Sequence, residues 1–244
     1  MSDSLIVQRR DGVTRFVLSR AAVGNSLSLD LVCALQQEVD RCYSDGTRLL
    51  VLEADGRHFC TGFDLSDLDS ETDDTLLARF VRIELLLQAI HRAPFTTAAI
   101  GHGLVLGAGA DLFAACEVRW ITGSASFRFP GTAFGLVLGT GRLARLIGAA
   151  LARDWVSSGR KVESQEALAN GFVTAQIEPE SLGEALDALA TRARRLDLTT
   201  QNEVYEASGG NPDNYAKDLY ALIRSAARPG LKKRIQEYRA ATKN

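Results

Sequence analysis

The stretch that decides the fold is AAIGHGLVLGAGADLFAACEV, residues 98–118. It starts as the end of an apolar strand, passes through four glycines and becomes a small-residue helix at about residues 108–116. Glycine lets a backbone approach a ligand closely, and the first turn of a helix has unpaired N–H groups beside a partial positive charge. The stretch therefore predicts a turn that can hold a developing negative charge. The four glycines are Gly101, Gly103, Gly107 and Gly109.

A second strand end upstream has the same character. The apolar run LLVLE at residues 49–53 is followed by ADGRHFCTGFDL, in which Gly62 offers a tight turn and exposes the amide of Phe63. Two strands that each open into a glycine turn can place two N–H donors around one carbonyl oxygen. The alternative is that these glycines only allow strand and helix to pack closely.

The same glycines do not complete a dinucleotide-binding pattern. The spacing that starts at Gly101 meets Leu106 where a third glycine is required, and the spacing that starts at Gly107 meets Leu112. The sequence therefore disfavours a nicotinamide site.

Composition and charge exclude several classes of partner. The 244 residues are 46% hydrophobic and 24% charged, with a net charge of −2 and scattered basic residues, so nucleic acid is not an expected partner. No apolar run approaches the roughly 18 residues of a membrane span, and no secretory signal is evident. The four cysteines lack C-x-x-C spacing and the histidines lack metal-like spacing. We expect a soluble cytoplasmic protein with reduced thiols and no metal.

The remaining pattern is that of an α/β protein. Asp11-Gly12 between two apolar runs predicts a hairpin, Ser28 can cap a helix, and a helix is predicted over residues 73–91. Repeated strand, loop and helix units indicate right-handed crossovers. Beyond Pro179 the pattern is helical. We therefore predict a core at residues 1–178 and a helical region at residues 179–244.

Five signatures in order resemble the enoyl-CoA hydratase/isomerase (crotonase) superfamily. They extend from about residue 13 to residue 177. The resemblance implies a crotonase-like α/β fold of repeated ββα units, whose C-terminal helices pack over the core or a neighbouring subunit in a homotrimer or a dimer of trimers. The signatures are Asn25-Ser26-Leu27, RHFCTGFDL at 57–65, IGHGLVLGAGAD at 100–111, SASFRFP at 124–130 and SQEALANGFV at 164–173.

The resemblance also implies an acyl-CoA substrate and a set of site residues. The backbone N–H groups of Phe63 and Ala108 occupy the family's positions for the two donors that stabilise a thioester enolate. Coenzyme A would be part of the substrate, and no separate cofactor is expected. Arg57 and the cluster at 232–234 are candidate contacts for its phosphates, although a solvated basic face explains that cluster equally. The candidate substrate-binding residues are Gly62, Asp64, Gly107, Gly109 and Gly131.

Asp111 is the candidate catalytic side chain. It lies one turn beyond Gly107 on the same helix, where a carboxylate could take or return a proton beside Ala108. The alternative is a structural role, because an acidic residue in a first turn stabilises the helix dipole. In hydratases of the family the matching position usually holds Glu, so Asp111 has a shorter reach.

The second catalytic carboxylate of the family has no counterpart here. The family's Phe-x-x-Pro-Glu segment corresponds to residues 127–131, which end in Gly131, and the segment at 137–142 is about three residues shorter than in hydratases. Gly131 resembles the naphthoyl-CoA synthase branch, where a bound bicarbonate replaces the carboxylate. We therefore predict an acyl-CoA-processing enzyme of fatty acid metabolism, a hydratase (lyase) or isomerase. Decarboxylation, other enolate chemistry and non-catalytic acyl-CoA binding remain alternatives.

Overall fold

The chain opens with an antiparallel hairpin. The structure, a computed structural model, describes residues 4–208 and 210–242. Strands β1 (Leu5–Arg10) and β2 (Val13–Leu18) are joined by Asp11 and Gly12. These two residues have φ values of 51° and 72°, as in the two-residue turns that match the twist of paired strands. The predicted hairpin is confirmed.

The hairpin leads into a seven-stranded mixed sheet with a parallel centre. β2 pairs with β3 (Leu49–Ala54), β3 with β4 (Thr96–Leu106), and β4 with β5 (Val118–Arg128), all in parallel. Helices α1 (Leu29–Cys42), α2 (Asp73–His91) and α3 (Ala108–Ala114) connect these strands. The predicted α/β fold class is confirmed. At the edge, β6 (Val162–Glu163) runs antiparallel and β7 (Ala175–Ile177) parallel to β5.

The helix starts follow from capping residues. The Ser28 hydroxyl accepts a hydrogen bond from the Leu31 amide at 3.2 Å, as the sequence predicted. Thr72 and Thr75 bond reciprocally at the start of α2. That helix spans the predicted residues 73–91.

The structure corrects one strand boundary. The stretch at residues 98–118 predicted the end of a strand followed by a glycine loop, but β4 continues to Leu106. Its pairing register with β5 shifts between Gly101 and Gly103, which is a bulge. A bulge lets a strand bend and resume its pairing, so glycines that are typical of a loop here lie inside a strand. β5 likewise continues through Gly123.

The rest of the described chain is mainly helical and packs on the sheet and on α2. α9 contacts α2 and α4, and α10 contacts α2 and a short 3-10 turn at Pro130–Phe134. No helix within the described ranges is long and apolar enough to cross a membrane. The predicted boundary at residue 178 stays a prediction, and residues 1–3, 209 and 243–244 of the two predicted regions lie outside the described residues. The helices are α4 (Thr140–Ile147), α5 (Ala149–Ser158), α6 (Ser164–Ala169), α7 (Leu182–Ala193), α8 (Leu198–Ala207), α9 (Pro212–Ala226) and α10 (Leu231–Thr242).

Gly103 is where the segment after β3 crosses β4, and its substitution tests that crossing. A Cβ at Gly103 would lie 2.0 Å from the Arg57 carbonyl oxygen, whereas a Cβ at Gly46 would have no atom within 4 Å. Both glycines have positive φ. We expect Gly46→Ala to cost about 1–2 kcal/mol in the free energy of unfolding, and Gly103→Ala about 1–3 kcal/mol more. Urea unfolding measures both values, and equal costs would contradict the close crossing.

Candidate active site

A cavity of about 190 Å³ lies where the two glycine turns meet. Its walls come from the turn after β3, the start of α3, the 3-10 turn after β5, the start of α4 and the inner face of α10. Apolar and aromatic side chains dominate this lining. Such a concave apolar space with a few convergent polar groups is the usual form of a ligand site.

Backbone hydrogen bonds hold the two turns side by side. The Leu106 amide donates to the Cys60 carbonyl oxygen at 2.9 Å. A Cβ built on Gly62 would lie 2.8 Å from the Leu106 carbonyl oxygen and 3.5 Å from the Ala108 nitrogen. Gly62 also has a φ of 98°. Only glycine fits this approach of backbone to backbone, so Gly62 brings the amides of both turns to one end of the cavity.

The amide of Phe63 is free to face the cavity. The Gly62 carbonyl accepts from the Leu27 amide at 2.7 Å, and the Asp64 amide donates to the Leu27 carbonyl at 3.2 Å. Because successive residues of an extended segment direct their polar groups to opposite sides, the N–H of Phe63 points away from Leu27. Among the described residues it has no acceptor.

The amide of Ala108 is free for a different reason. Ala108 is the first residue of α3, and the first N–H groups of a helix have no partner within it. No side chain caps this helix. Both Phe63 and Ala108 line the cavity, so the structure brings the two predicted donors together.

Asp111 lines the same cavity and is 4% exposed. Burial raises the pKa of its carboxyl well above the ordinary value; the charge of Arg142 opposes this shift and that of Glu84 adds to it. A Cβ on Gly139 would lie 2.0 Å from Asp111 Oδ1, so the glycine before α4 gives the carboxyl its room. The carboxyl therefore keeps its proton to a higher pH than an exposed aspartate does.

Three further candidates from the sequence lie in different surroundings. Gly131 lines the cavity, with no carboxylate at its position. Gly109 is not in the lining; a Cβ there would lie 2.4 Å from the Cys60 carbonyl oxygen, so its role is close packing. Asp64 is not in the lining either, because its carboxylate forms an ion pair with Arg20 at 2.8 Å and accepts from the Ser66 amide. Burial opposes ionisation there, but these contacts hold the pKa of Asp64 below its ordinary value.

The aromatic part of the lining was not predicted from the sequence. The Phe63 ring stacks on Phe80 with centroids 4.4 Å apart, and Tyr238 of α10 contacts Phe134 with centroids 5.3 Å apart. The spacing of Leu231, Ile235 and Tyr238 places them on one face of α10, and this signal could have predicted that α10 packs inward. The helix that covers the cavity belongs to the same chain.

The predicted basic cluster is partly occupied by contacts within the chain. Lys232 Nζ donates to the carbonyl oxygens of Asp69 and Glu71 at 2.7 and 2.8 Å. Arg234 donates to the carbonyl oxygen of Phe134 at 3.0 Å. These two side chains fasten α10 beside the cavity, which is a structural role.

Comparisons with known proteins show the family. Residues 8–203 match the family described as enoyl-CoA hydratase/isomerase. The chain is 32% identical over 202 residues to the Bacillus subtilis (strain 168) protein named "Probable enoyl-CoA hydratase", a match that covers 76% of this chain and 78% of that protein. It is also 32% identical over 180 residues to the mitochondrial methylglutaconyl-CoA hydratase of Rattus norvegicus, covering 71% of this chain and 57% of the rat protein.

A solved structure agrees over almost the whole chain. A crystal structure from Bordetella parapertussis, assigned to the enoyl-CoA hydratase/isomerases, is 41% identical with a TM-score of 0.94, covering 98% of this chain and 99% of that one. The fold is that of the crotonase superfamily. Within it, this chain belongs to the enoyl-CoA hydratase/isomerase family, as the signatures predicted.

The raised pKa of Asp111 predicts how stability depends on pH. The folded protein keeps this proton to a higher pH than the unfolded chain, so the associated stability is complete below the unfolded pKa of about 3.9 and is lost as the pH rises through the folded pKa. We expect Asp111→Asn to be more stable than wild type at neutral pH, by about 1.4 kcal/mol for each unit of the shift, with no such gain near pH 3. Urea unfolding across this pH range measures the difference.

Asp64→Asn is the matched control, because the pKa of Asp64 is shifted in the opposite direction to that of Asp111. The folded pKa of Asp64 is lowered, so its stabilisation is present above the unfolded pKa and is lost as the pH falls through the folded value. We expect this variant to be less stable than wild type at neutral pH, with a deficit that narrows in acid. If Asp111→Asn lost stability in the same way, its carboxyl would not be the destabilised group inferred from the structure.

Proposed function

We propose that the protein acts on acyl-CoA thioesters and stabilises a thioester enolate between the backbone amides of Phe63 and Ala108. The observation that carries this proposal is the pair of unpartnered N–H groups at one end of an apolar cavity. Hydrogen-bond donors fixed in advance at the site of developing charge are usually the largest electrostatic contribution to such catalysis. The names of the relatives support a coenzyme A thioester as substrate.

Hydration of an enoyl thioester is the reaction we favour. Water adds to the β-carbon, the electrons of the double bond move to the thioester oxygen, and the enolate lies between the two amides. A proton then goes to the α-carbon. Asp111 lines the cavity, and its carboxyl can accept a proton from the water and return one to the carbon. It would have to do both in turn, because it is the only acidic side chain among the described lining residues.

The body of the acyl group would occupy the apolar part of the cavity. Phe63, Phe80 and Phe134 form its walls, together with leucines from the segment before α4. Arg79 lies over the outer face of Phe63, 4.3 Å from the ring centroid, and thereby fixes the ring. A rigid wall of this kind favours compact or flat acyl groups.

Proline at position 108 tests the second donor without changing a side chain that acts chemically. Position 108 is the first of α3, where proline is well tolerated because its missing N–H has no partner within the helix. We expect Ala108→Pro to lower kcat/KM for crotonyl-CoA by about 10²–10³-fold, which is the usual effect of losing one such donor. The loss of ultraviolet absorbance of the conjugated thioester measures the rate.

Ala149→Pro is the matched control. Ala149 is the first residue of α5, also follows a glycine and does not line the active-site cavity. We expect the control to retain wild-type kcat/KM. Equal losses in both variants, or unchanged turnover by Ala108→Pro, would contradict the proposed donor.

Asp111→Asn separates hydration from the second candidate function. If Asp111 is the acid and base, this variant should lose hydration of crotonyl-CoA while keeping its circular dichroism spectrum. A control variant, Asp64→Glu, retains the ion-pairing carboxylate outside the cavity and should hydrate at a rate near that of wild type.

Decarboxylation is the second candidate because Gly131 leaves the cavity with one acid. Loss of carbon dioxide from a malonyl-type thioester leaves its bonding electrons as the enolate, so no base has to remove a proton. Release of carbon dioxide that persists in Asp111→Asn, with no hydration by wild type, would favour this reaction. If neither substrate turns over but both bind, the protein is a non-catalytic acyl-CoA-binding member of the family.

A further inference from the structure

A buried ion pair joins α2 to α4 outside the lining of the cavity. Glu84 of α2 accepts from Arg142 Nη2 of α4 at 3.0 Å, and the side chains are 0% and 1% exposed. Gln88, one turn along α2, donates to the same Glu84 oxygen at 2.8 Å. Neither Glu84 nor Arg142 lines the cavity, so neither contacts a ligand bound there.

The pair is incompletely satisfied. Within the described ranges, Glu84 Oε2, Arg142 Nε and Arg142 Nη1 are buried and have no hydrogen-bond partner. Buried charges with unmatched polar atoms are costly to the folded state, and an apolar pair of similar volume is often as stable or more so. A contribution to stability therefore does not explain why Glu84 and Arg142 are charged. Their charges can instead act on a neighbouring group.

That neighbouring group is Asp111. Gly139 caps α4 and packs against the Asp111 carboxyl, and Arg142 lies in the first turn of the same helix. Arg142 from α4 and Glu84 from α2 are the charged groups that act on Asp111, with opposite signs. The Asp111 carboxyl of α3 thus lies against the start of α4, and the charges that act on it belong to a cation and an anion that are paired with each other.

Other charged or titratable groups near α3 are committed elsewhere. On β5, Arg119 donates to the carbonyl oxygens of four residues, and Arg128 donates to that of Gly159. His102 on β4 contacts the carbonyl oxygen of Gly56. His91 at the end of α2 faces Arg142, but burial first and then that charge lower its pKa to about 3, so it is neutral at physiological pH.

We propose that Arg142 and Glu84 are positioning residues for Asp111: the buried pair between α2 and α4 sets the electrostatic environment of the carboxyl that lies against Gly139 at the start of α4. The importance of this for turnover rests on the proposed function, in which Asp111 both takes and returns a proton. The electrostatic effect itself does not depend on that function and can be measured without substrate.

Substitution of the two residues of the pair should shift the pKa of Asp111 in opposite directions. An arginine side chain stays charged, so Glu84→Gln leaves an unopposed cation beside Asp111 and should lower its pKa. Arg142→Gln removes that cation and should raise it. Loss of a merely structural contact would disturb the site similarly from either side, so opposite signs distinguish the two roles.

The experiment is a carboxyl ¹³C NMR titration of full-length protein labelled at aspartate. The Asp111 signal is identified by its absence in Asp111→Asn. We expect its midpoint to move down by about one pH unit or more in Glu84→Gln and up by about one in Arg142→Gln. Arg142→Lys, which keeps a cation, should stay close to wild type. If Arg142→Gln does not fold, the downward shift in Glu84→Gln still decides the proposal.

Arg145→Gln is the control within α4. Arg145 lies one turn after Arg142 and pairs with Asp218 of α9 at 2.5 Å, but it is not among the groups that act on Asp111. This variant loses an ion pair and should leave the Asp111 midpoint unchanged. Midpoints that stay fixed in Glu84→Gln, or that move the same way in both variants of the pair, would overturn the proposal.

The same variants distinguish failure of this inference from failure of the proposed function. If crotonyl-CoA is hydrated, the acidic limb of kcat/KM against pH should follow the NMR midpoint downward in Glu84→Gln. Opposite NMR shifts without turnover of any acyl-CoA would uphold the electrostatic role of the pair and overturn the enzymatic proposal. Turnover of an acyl-CoA with unchanged NMR midpoints would uphold the enzymatic proposal and overturn the electrostatic role of the pair.

Discussion

The close pairing of the segment after β3 with the second half of β4 is the constraint on which the site depends. Cys60 pairs with Val105, and its carbonyl oxygen accepts a hydrogen bond from the amide of Leu106. The segment after β3 and the end of β4 are therefore held in a fixed position relative to each other. Gly103 and Gly62 lie where backbone meets backbone, with no room for a Cβ. Because the contacts are between main chains, two N–H groups are held in place whatever side chains Phe63 and Ala108 carry.

Because the two N–H groups belong to the main chain, some positions of the site can vary in residue type and others cannot. Backbone donors need a fixed path and not a particular side chain, so phenylalanine and alanine serve as well as other residues. The glycines have no such freedom, since their positive φ or their contacts exclude a side chain. The role proposed for Asp111 is different in kind, because it would depend on a side chain, on its burial and on the charges around it.

The sequence predicted the parts of the fold that are coded locally. The hairpin at Asp11-Gly12, the cap at Ser28 and the strand-to-helix turn before Ala108 each follow from residues close together in the chain. The end of β4 was misplaced because glycine signals a bulge as readily as a loop, and only the pairing with β5 decides between them. The aromatic lining was missed because α10 returns to the cavity from the far end of the chain.

The site residues also divide into features that the local sequence indicates and features that depend on distant partners. The family resemblance made Asp64 a candidate substrate-binding residue, but its carboxylate pairs with Arg20, 44 positions earlier, and is not in the cavity lining. The link between Arg142 and Glu84 spans 58 positions, and no local pattern marks it. Local sequence can thus nominate a charged residue, whereas its ionisation is set by partners that only the fold brings near.

The single acid among the described residues that line the cavity narrows the chemistry proposed for this site. In the proposed function, two fixed amides would stabilise an enolate however it forms, so the donors would not choose among hydration, decarboxylation and simple binding. The choice would be made by proton transfer, for which Gly131 offers no group and Asp111 offers one. A lone carboxyl that must both accept and donate needs a pKa near the working pH. Burial raises the pKa of Asp111, the charge of the buried Arg142 opposes that rise, and the charge of its partner Glu84 adds to it.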